Sequence, residues 1–348
     1  MKDYSKNSIY SYELVKDALH KLNNVPDNLT LFVLNKKEQI VGALTDGDIR
    51  RGLLAGKSIN DKVDTFMFKD FKYLPGNNIK LEKIKELREL GIKLVPLLNE
   101  DKNITGIFDL TKKKTILPVD AVIMAGGKGE RLRPLTDDIP KPLLKIGDKP
   151  IVEHNIDRLI TYGIDNIYFT VGCMGEKIIE YFGNGRAKGV NINYVNETKP
   201  SGTIGSISHI EQFYNDTILV MNSDLLTTID YEDFYKAFLE QNVDMAVATT
   251  PYKIDIPFAI LEIKNKQIQS IKEKPTYTYY SNAGIYLIKR EIIDLIPKDK
   301  PFDATDLIEL MIKKGKKVTH FPILGYWLDI GGKEDLLKAQ QDIQLLKL

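Results

Sequence analysis

The chain contains one cysteine, Cys173, in 348 residues. That excludes an internal disulfide and fits a reducing cytosol, so a cytoplasmic protein is expected. The neighbours Val171-Gly-Cys-Met-Gly-Glu176 offer no base to activate the thiol, and Cys173 reads as a packing residue. The four histidines are scattered, with no partner at metal-ligand spacing, which argues against a zinc site. No apolar run approaches membrane-spanning length, and the N-terminus is polar from Lys2 onward with no signal core, so no membrane partner is expected. An excess of one charge is missing too. The 49 Lys and Arg against 48 Asp and Glu leave a net charge of +1, which argues against nucleic-acid binding. Lys112-Lys-Lys114 and Lys313-Lys-Gly-Lys-Lys317 then read as solvated faces.

What is present centres on one loop. Met124-Ala-Gly-Gly-Lys-Gly-Glu-Arg-Leu-Arg-Pro-Leu-Thr136 follows the apolar run Val119–Met124, which reads as a buried strand, and precedes Ile139-Pro-Lys-Pro-Leu-Leu144. Bare glycine backbone lets N–H groups approach phosphate oxygens, and Arg131 and Lys141 supply fixed cations. A Walker A loop is excluded because it needs a Gly-Lys-Ser/Thr ending, and here Gly129 is followed by Glu130. A dinucleotide fingerprint is excluded because Leu132 stands where its third glycine belongs. A tight turn alone accounts for one or two glycines and leaves both cations unexplained.

The same residues, Gly-Gly-x-Gly-x-Arg-Leu-x-Pro-Leu-Thr and then Pro-Lys-Pro-Leu-Leu, resemble the signature of the sugar-1-phosphate nucleotidyltransferases, from about Val119 to the C-terminus. The resemblance implies an α/β fold with a Rossmann-like, mostly parallel sheet, a requirement for Mg²⁺, and a reaction. A nucleoside triphosphate and a sugar 1-phosphate give a nucleotide-sugar and pyrophosphate. Met124, Ala125, Gly126, Gly127 and Gly129 become expected nucleotide-binding residues, and Arg131 and Lys141 expected catalytic cations. Lys141 stands between Pro140 and Pro142, and a residue before proline avoids the helical region, so an extended backbone is expected there.

An in-line displacement between two anions needs charge neutralisation rather than a catalytic triad. Two acids are candidates. Thr217–Asp224 is an apolar strand ending in Asp224, and Tyr326-Trp-Leu-Asp-Ile-Gly331 carries Asp329 before a glycine pair. Each alone equally suits a helix cap; the resemblance implies that Asp224 and Asp329 together ligate the metal. It also implies that Glu273-Lys274-Pro275 and Ser281-Asn-Ala-Gly-Ile-Tyr286 meet the sugar phosphate. Lys274 would bind the phosphate, with Glu273, Asn282 and Gly284 at the sugar.

Glu197, with Gly202 and Thr203, completes the expected nucleotide set. A glutamine commonly holds the place of Glu197 in uridylyl- and thymidylyl-transferring relatives. A carboxylate only accepts hydrogen bonds, and guanine offers two adjacent donors, which favours GTP. A uridylyl-, thymidylyl- or cytidylyltransferase remains the alternative. A glycosyltransferase is disfavoured, because Asn222-Ser-Asp224 lacks the first acid of an Asp-x-Asp motif. A nucleotide-sensing protein with an inactive transferase half would not need every catalytic position filled.

The length suggests two domains, expected at residues 1–117 and 118–348, with Leu110–Pro118 as linker. The first contains a duplication: Val33–Leu44 lies on Leu97–Phe108 without a gap, each an apolar strand, a polar turn and a second strand. An amphipathic helix precedes each, with Leu14, Val15, Ala18, Leu19 and Leu22 on one face, then Ile79, Ile84, Leu87 and Leu90. This resembles a tandem CBS pair, a smaller α+β domain, regulatory or oligomerising. The resemblance implies an adenine nucleotide held by Thr45 and Asp48, and a homo-oligomer. The second copy departs, with Asp109 and Lys112 at those places. The whole arrangement resembles bacterial CBS-containing guanylyltransferases of surface-glycan and nonulosonic acid pathways, with glucosamine 1-phosphate or mannose 1-phosphate as the expected acceptor.

Overall fold

The computed structural model describes residues 4–25, 29–76, 79–197 and 199–346. The chain divides into two compact units, Met1–Ile116 and Leu117–Leu348. In the first, β1 (Ser8–Tyr10), α1 (Val15–Asn23), β2 (Thr30–Leu34), β3 (Ile40–Thr45) and α2 (Asp46–Leu54) are followed by β4 (Leu74–Pro75), α3 (Leu81–Glu89), β5 (Leu94–Leu98) and β6 (Ile104–Asp109). Each copy forms a three-stranded sheet, β1-β2-β3 or β4-β5-β6, with one parallel and one antiparallel pairing.

Even the irregularity repeats. The register slips between Val33 and Leu34 and again between Leu97 and Leu98, positions that the gapless alignment superposes. Helix α1 buries Val15, Ala18 and Leu22, and α3 buries Ile84 and Leu87. Ile79 precedes α3 but packs on the same cluster. The copies part after the hairpin, where α2 follows Thr45 but turns follow Asp109.

The second unit is built on β7 (Val119–Ala125), all seven residues of which are buried. Its one acid, Asp120, is satisfied by the backbone N–H groups of Tyr214 and Asn215 at 2.5 and 3.1 Å and by the Asn215 side chain at 2.6 Å. Then come β8 (Lys145–Ile146), β9 (Lys149–Pro150), α4 (Ile151–Thr161), β10 (Asn166–Val171), α5 (Gly175–Phe182), β11 (Asn191–Asn196), β12 (Thr217–Asn222), β13 (Leu225–Thr227) and α6 (Tyr231–Glu240). The remainder is β14 (Met245–Asp255), β15 (Ile260–Lys264), β16 (Gln267–Lys272), β17 (Thr276–Lys289), α7 (Ala304–Lys313), β18 (Val318–Pro322), β19 (Trp327–Asp329) and α8 (Lys333–Asp342).

Seven strands form one sheet in the order β11-β10-β7-β12-β17-β14-β18. Only β17 runs against the others, so the sheet is mostly parallel and the fold is mixed α/β. Both faces are covered. Val122 and Val220 pack with Leu307 and Met311 of α7, while Met221, on the opposite face, meets Tyr231 of α6. The outer halves of β14 and β17 run beyond the sheet and, with the β15–β16 hairpin, form an exposed arm. Leu336 of α8, with Ile343 and Leu346 beyond it, packs on Leu132, Ile146 and Ile330 of its own chain, whereas Leu337 is exposed. Among the described residues no helix is long and apolar enough to cross a membrane.

Candidate active site

Strands β10 and β12 flank β7 and both run parallel to it, so the loops after Ala125, Val171 and Asn222 leave the sheet at one edge. A cavity of about 750 Å³ opens there. Its lining includes Met124, Gly126, Gly127, Gly129, Arg131, Lys141, Glu197, Gly202, Thr203 and Asp224, ten of the residues expected from the sequence. Ala125 is buried at the end of β7, beside the lining. The lining also takes in Lys128, Gly172, Lys199, Asn222 and Asp303, which the sequence reading left unassigned, and Cys173, which is exposed there and is not the packing residue expected. Gly172 and Cys173 were findable, since they directly follow β10 at the same sheet edge.

The loop is held by close backbone approaches. Gly129 has φ of +66°, and a Cβ there would sit 3.1 Å from the Lys141 Cβ. A Cβ on Gly126 would lie 2.5 Å from the Glu197 carboxylate, and one on Gly172 would lie 2.7 Å from the Gly126 carbonyl oxygen. Glu197 therefore rests directly over the glycine loop, with its N–H donating to the Val171 carbonyl at 2.8 Å.

Lys141 is not extended, contrary to the sequence expectation. Lys141–Leu143 forms a 3-10 turn, closed by Leu143 N–H to the Pro140 carbonyl at 2.8 Å and Leu144 N–H to the Lys141 carbonyl at 3.1 Å. These hydrogen bonds overrule the pre-proline preference, and Pro142 is tolerated so early in the turn because the N–H it lacks would have no partner there. The Lys141 ammonium donates to the Asp224 carboxylate.

Asp224 and Asp329 are brought together by the short antiparallel pair β13–β19. Ile330 N–H donates to the Asp224 carbonyl at 3.1 Å, and Leu225 faces Asp329 in register. The Asp329 carboxyl is held above the usual carboxylate range by burial and then by the Asp224 charge, with Lys141 and Arg131 partly offsetting them. Asp329 Oδ1 is buried with no hydrogen-bond partner among the described residues. The Arg131 guanidinium lies over Gly331, 3.1 Å from where a Cβ would stand. An orphaned carboxylate oxygen beside a second acid is the donor set that a hard divalent cation takes. Among the described residues no cluster of three or more His, Cys, Asp or Glu offers a larger metal site.

The remaining expected residues lie elsewhere. Glu273 and Lys274 are exposed on the arm, outside the cavity lining. Asn282 sits at the irregularity where β17 changes register on β14; its side chain accepts from Gly284 N–H at 2.9 Å and donates to the Tyr286 hydroxyl at 2.8 Å. Gly284, at φ of +71°, leaves room for Asn222, whose Nδ2 would be 2.6 Å from a Cβ there. Thr45 and Asp48 cap α2. Thr45 Oγ1 accepts from Asp48 N–H at 3.2 Å, Asp48 Oδ2 accepts from Thr45 N–H at 2.8 Å, and Arg51 pairs with Asp48 at 2.5 Å.

With this geometry in place, comparisons with known proteins become informative. The nucleotidyl transferase family model matches residues 120–345. The bifunctional protein GlmU of Methanocaldococcus jannaschii is 34% identical over 230 residues, 64% of this chain and 54% of that protein. The D-glycero-alpha-D-manno-heptose 1-phosphate guanylyltransferase of Aneurinibacillus thermoaerophilus is 29% identical over 229 residues, 65% of this chain and 99% of that protein. The crystal structure of HddC from Yersinia pseudotuberculosis complexed with GMP-PN matches with a TM-score of 0.51 at 27% identity, covering 64% of this chain and 99% of that one. The chain spans about half the length of the GlmU relatives it matches.

Proposed function

Since the chain belongs to the nucleotidyl transferase family, we propose that it makes a nucleotide-sugar and pyrophosphate from a nucleoside triphosphate and a sugar 1-phosphate. One observation carries this reading: the glycine loop, Arg131, Lys141 and Asp224 converge on a single cavity at the strand ends, with Asp329 paired behind it.

In the reaction a sugar phosphate oxygen forms a bond to the α-phosphorus, and the bond from that phosphorus to the bridging oxygen of the β-phosphate breaks. Pyrophosphate leaves with the electron pair. No side chain need take a proton, because the nucleophile is already an anion. The peptide N–H groups of Gly126–Gly129 cradle phosphate oxygens, Arg131 grips them with its planar fork, and Lys141 neutralises charge on the leaving group. Asp224 and Asp329 would hold a magnesium ion, whose charge would help offset that of the phosphates. Each of the two cations is expected to contribute about 10²–10³ in turnover, by analogy with a transition-state donor.

The preferred donor is GTP. Glu197 is a pure acceptor lying over Gly126, suited to the adjacent N1–H and N2 amino donors of guanine and unsuited to uracil or thymine, whose one donor stands between two acceptors. The guanylyltransferase among its relatives supports this choice. Glucosamine 1-phosphate or mannose 1-phosphate is the acceptor, and Lys274, Glu273 and Asn282 belong to its binding. Pyrophosphate release, measured with Mg²⁺, the four nucleoside triphosphates and a panel of sugar 1-phosphates, tests the reading. Release with no combination refutes it.

The N-terminal unit reads as a tandem CBS pair, supported by the duplicated sheets and repeated register slip. An adenine nucleotide there would have to take Thr45 and Asp48 out of their capping box. Isothermal titration of AMP, ADP and ATP into the full chain and into Asp48→Ala tests this: heat that Asp48→Ala does not lose assigns it elsewhere.

A further inference from the structure

The wall of the cavity beyond Glu197 is held by a second segment. Asp303 Oδ1 accepts from Thr203 N–H at 2.8 Å, and Thr203 Oγ1 accepts in return from Ala304 N–H at 2.9 Å. Around this reciprocal clasp the backbones are zipped. Phe302 N–H donates to the Ser201 carbonyl at 2.9 Å, and Ile204 and Gly205 N–H both donate to the Phe302 carbonyl at 3.1 Å. Gly202, at φ of +73°, admits Phe302 so closely that a Cβ would sit 2.6 Å from its nitrogen and oxygen.

Both ends of the wall are therefore fixed. At one end Glu197 N–H is tied to Val171 of β10, and at the other Thr203 is tied to Asp303. Lys199, Pro200 and Ser201, between those anchors, line the cavity. Asp303 opens α7, which is rooted in the core by Ala304, Leu307 and Met311 at 4%, 0% and 0% exposure. The support is rigid, and the segment it supports is irregular. Left free, such a segment must be ordered when a ligand binds, at a cost in affinity; held in place, it is pre-organised.

We propose that Asp303 is a positioning residue for nucleotide binding, acting through Thr203 to hold the 199–202 wall in its ligand-ready shape. This deepens the nucleotidyltransferase reading and rests on it. The competing role is local: Asp303 as no more than the N-cap of α7, whose loss would lower stability and leave the affinity of the folded protein untouched.

Equilibrium titration of GTP with Mg²⁺ into the full chain, without sugar phosphate, separates these roles. Asp303→Ala removes the acceptor, and the Kd is expected to rise roughly tenfold, the scale of one lost hydrogen bond to a charged group. Asp303→Asn keeps an oxygen for Thr203 N–H and is expected to stay within about threefold of the wild type. Thermal melts without nucleotide establish that each variant is folded. Should Asp303→Ala not fold, Thr203→Val removes the Oγ1 half of the clasp and is expected to weaken GTP in the same direction. Unchanged affinity in the folded variant overturns the inference. Equal weakening by Asp303→Asn and Asp303→Ala also overturns it, because the charge would then be touching the ligand directly. A wild-type chain that binds none of the four triphosphates overturns the nucleotidyltransferase reading itself.

Discussion

The Lys141 ammonium donates a hydrogen bond to Asp224 Oδ2 across 83 residues of sequence, with the two side chains only 12% and 19% exposed. A cation proposed for the triphosphate and an acid proposed for the metal thus neutralise each other. A divalent ion held by Asp224 would compete with the ammonium for that carboxylate and leave Lys141 free to meet a phosphate. Lys141→Met should therefore lower turnover by about 10²–10³. The same substitution should tighten Mn²⁺ binding without nucleotide, read by electron paramagnetic resonance, because no ammonium then competes for Asp224. Weaker Mn²⁺ binding would contradict this.

Asp224→Asn and Asp329→Asn should both abolish Mg²⁺-dependent turnover, but their effects on stability should have opposite signs. Asp224→Asn leaves the Lys141 ammonium without its carboxylate, a loss of about 1–2 kcal/mol. That corresponds to a Tm lower by roughly 2–8 °C. Asp329→Asn removes a buried charge that repels Asp224, so its Tm should rise. Calorimetry of the two variants decides, and a fall for Asp329→Asn would show that its carboxylate has a partner.

Glu197→Gln should shift the donor preference from GTP toward UTP or dTTP, since an amide both donates and accepts where the carboxylate only accepts. Turnover compared across nucleotides for wild type and variant provides the readout. An unchanged order of preference would place Glu197 outside base recognition.

Gly172→Ala should lower kcat/KM for the nucleotide by about 10–10². The added methyl would meet the Gly126 carbonyl at 2.7 Å, and a backbone atom there moves only if the glycine loop moves with it. An alanine variant with wild-type kinetics would mean that the two loops are not coupled.

The gathering of the glycine loop, Arg131, Lys141 and Asp224, just after β12, at the strand ends was legible because each is encoded locally, by glycines, charges and a strand end. The partnership of Asp224 with Asp329 was not. It depends on β13 pairing with β19, over a hundred residues apart, and only the family resemblance supplied it. Asp303 was missed for the same reason, since a capping acid on α7 carries no sign that it faces Thr203. The extended Lys141 was a local rule overruled by the hydrogen bonds of a 3-10 turn. The duplicated strands of the N-terminal unit were readable, and the structure adds that both copies slip in register at the same place, whereas Thr45 and Asp48, read as ligand residues, are engaged with each other as a helix cap.

The most direct test is quantitation of pyrophosphate from each of the four nucleoside triphosphates with Mg²⁺ and a panel of sugar 1-phosphates, using wild type and Arg131→Ala side by side. The account predicts steady release by the wild type and a loss of about 10²–10³ in the variant at unchanged Tm. Equal release by the two proteins, or none from any nucleotide with the wild type, would contradict it.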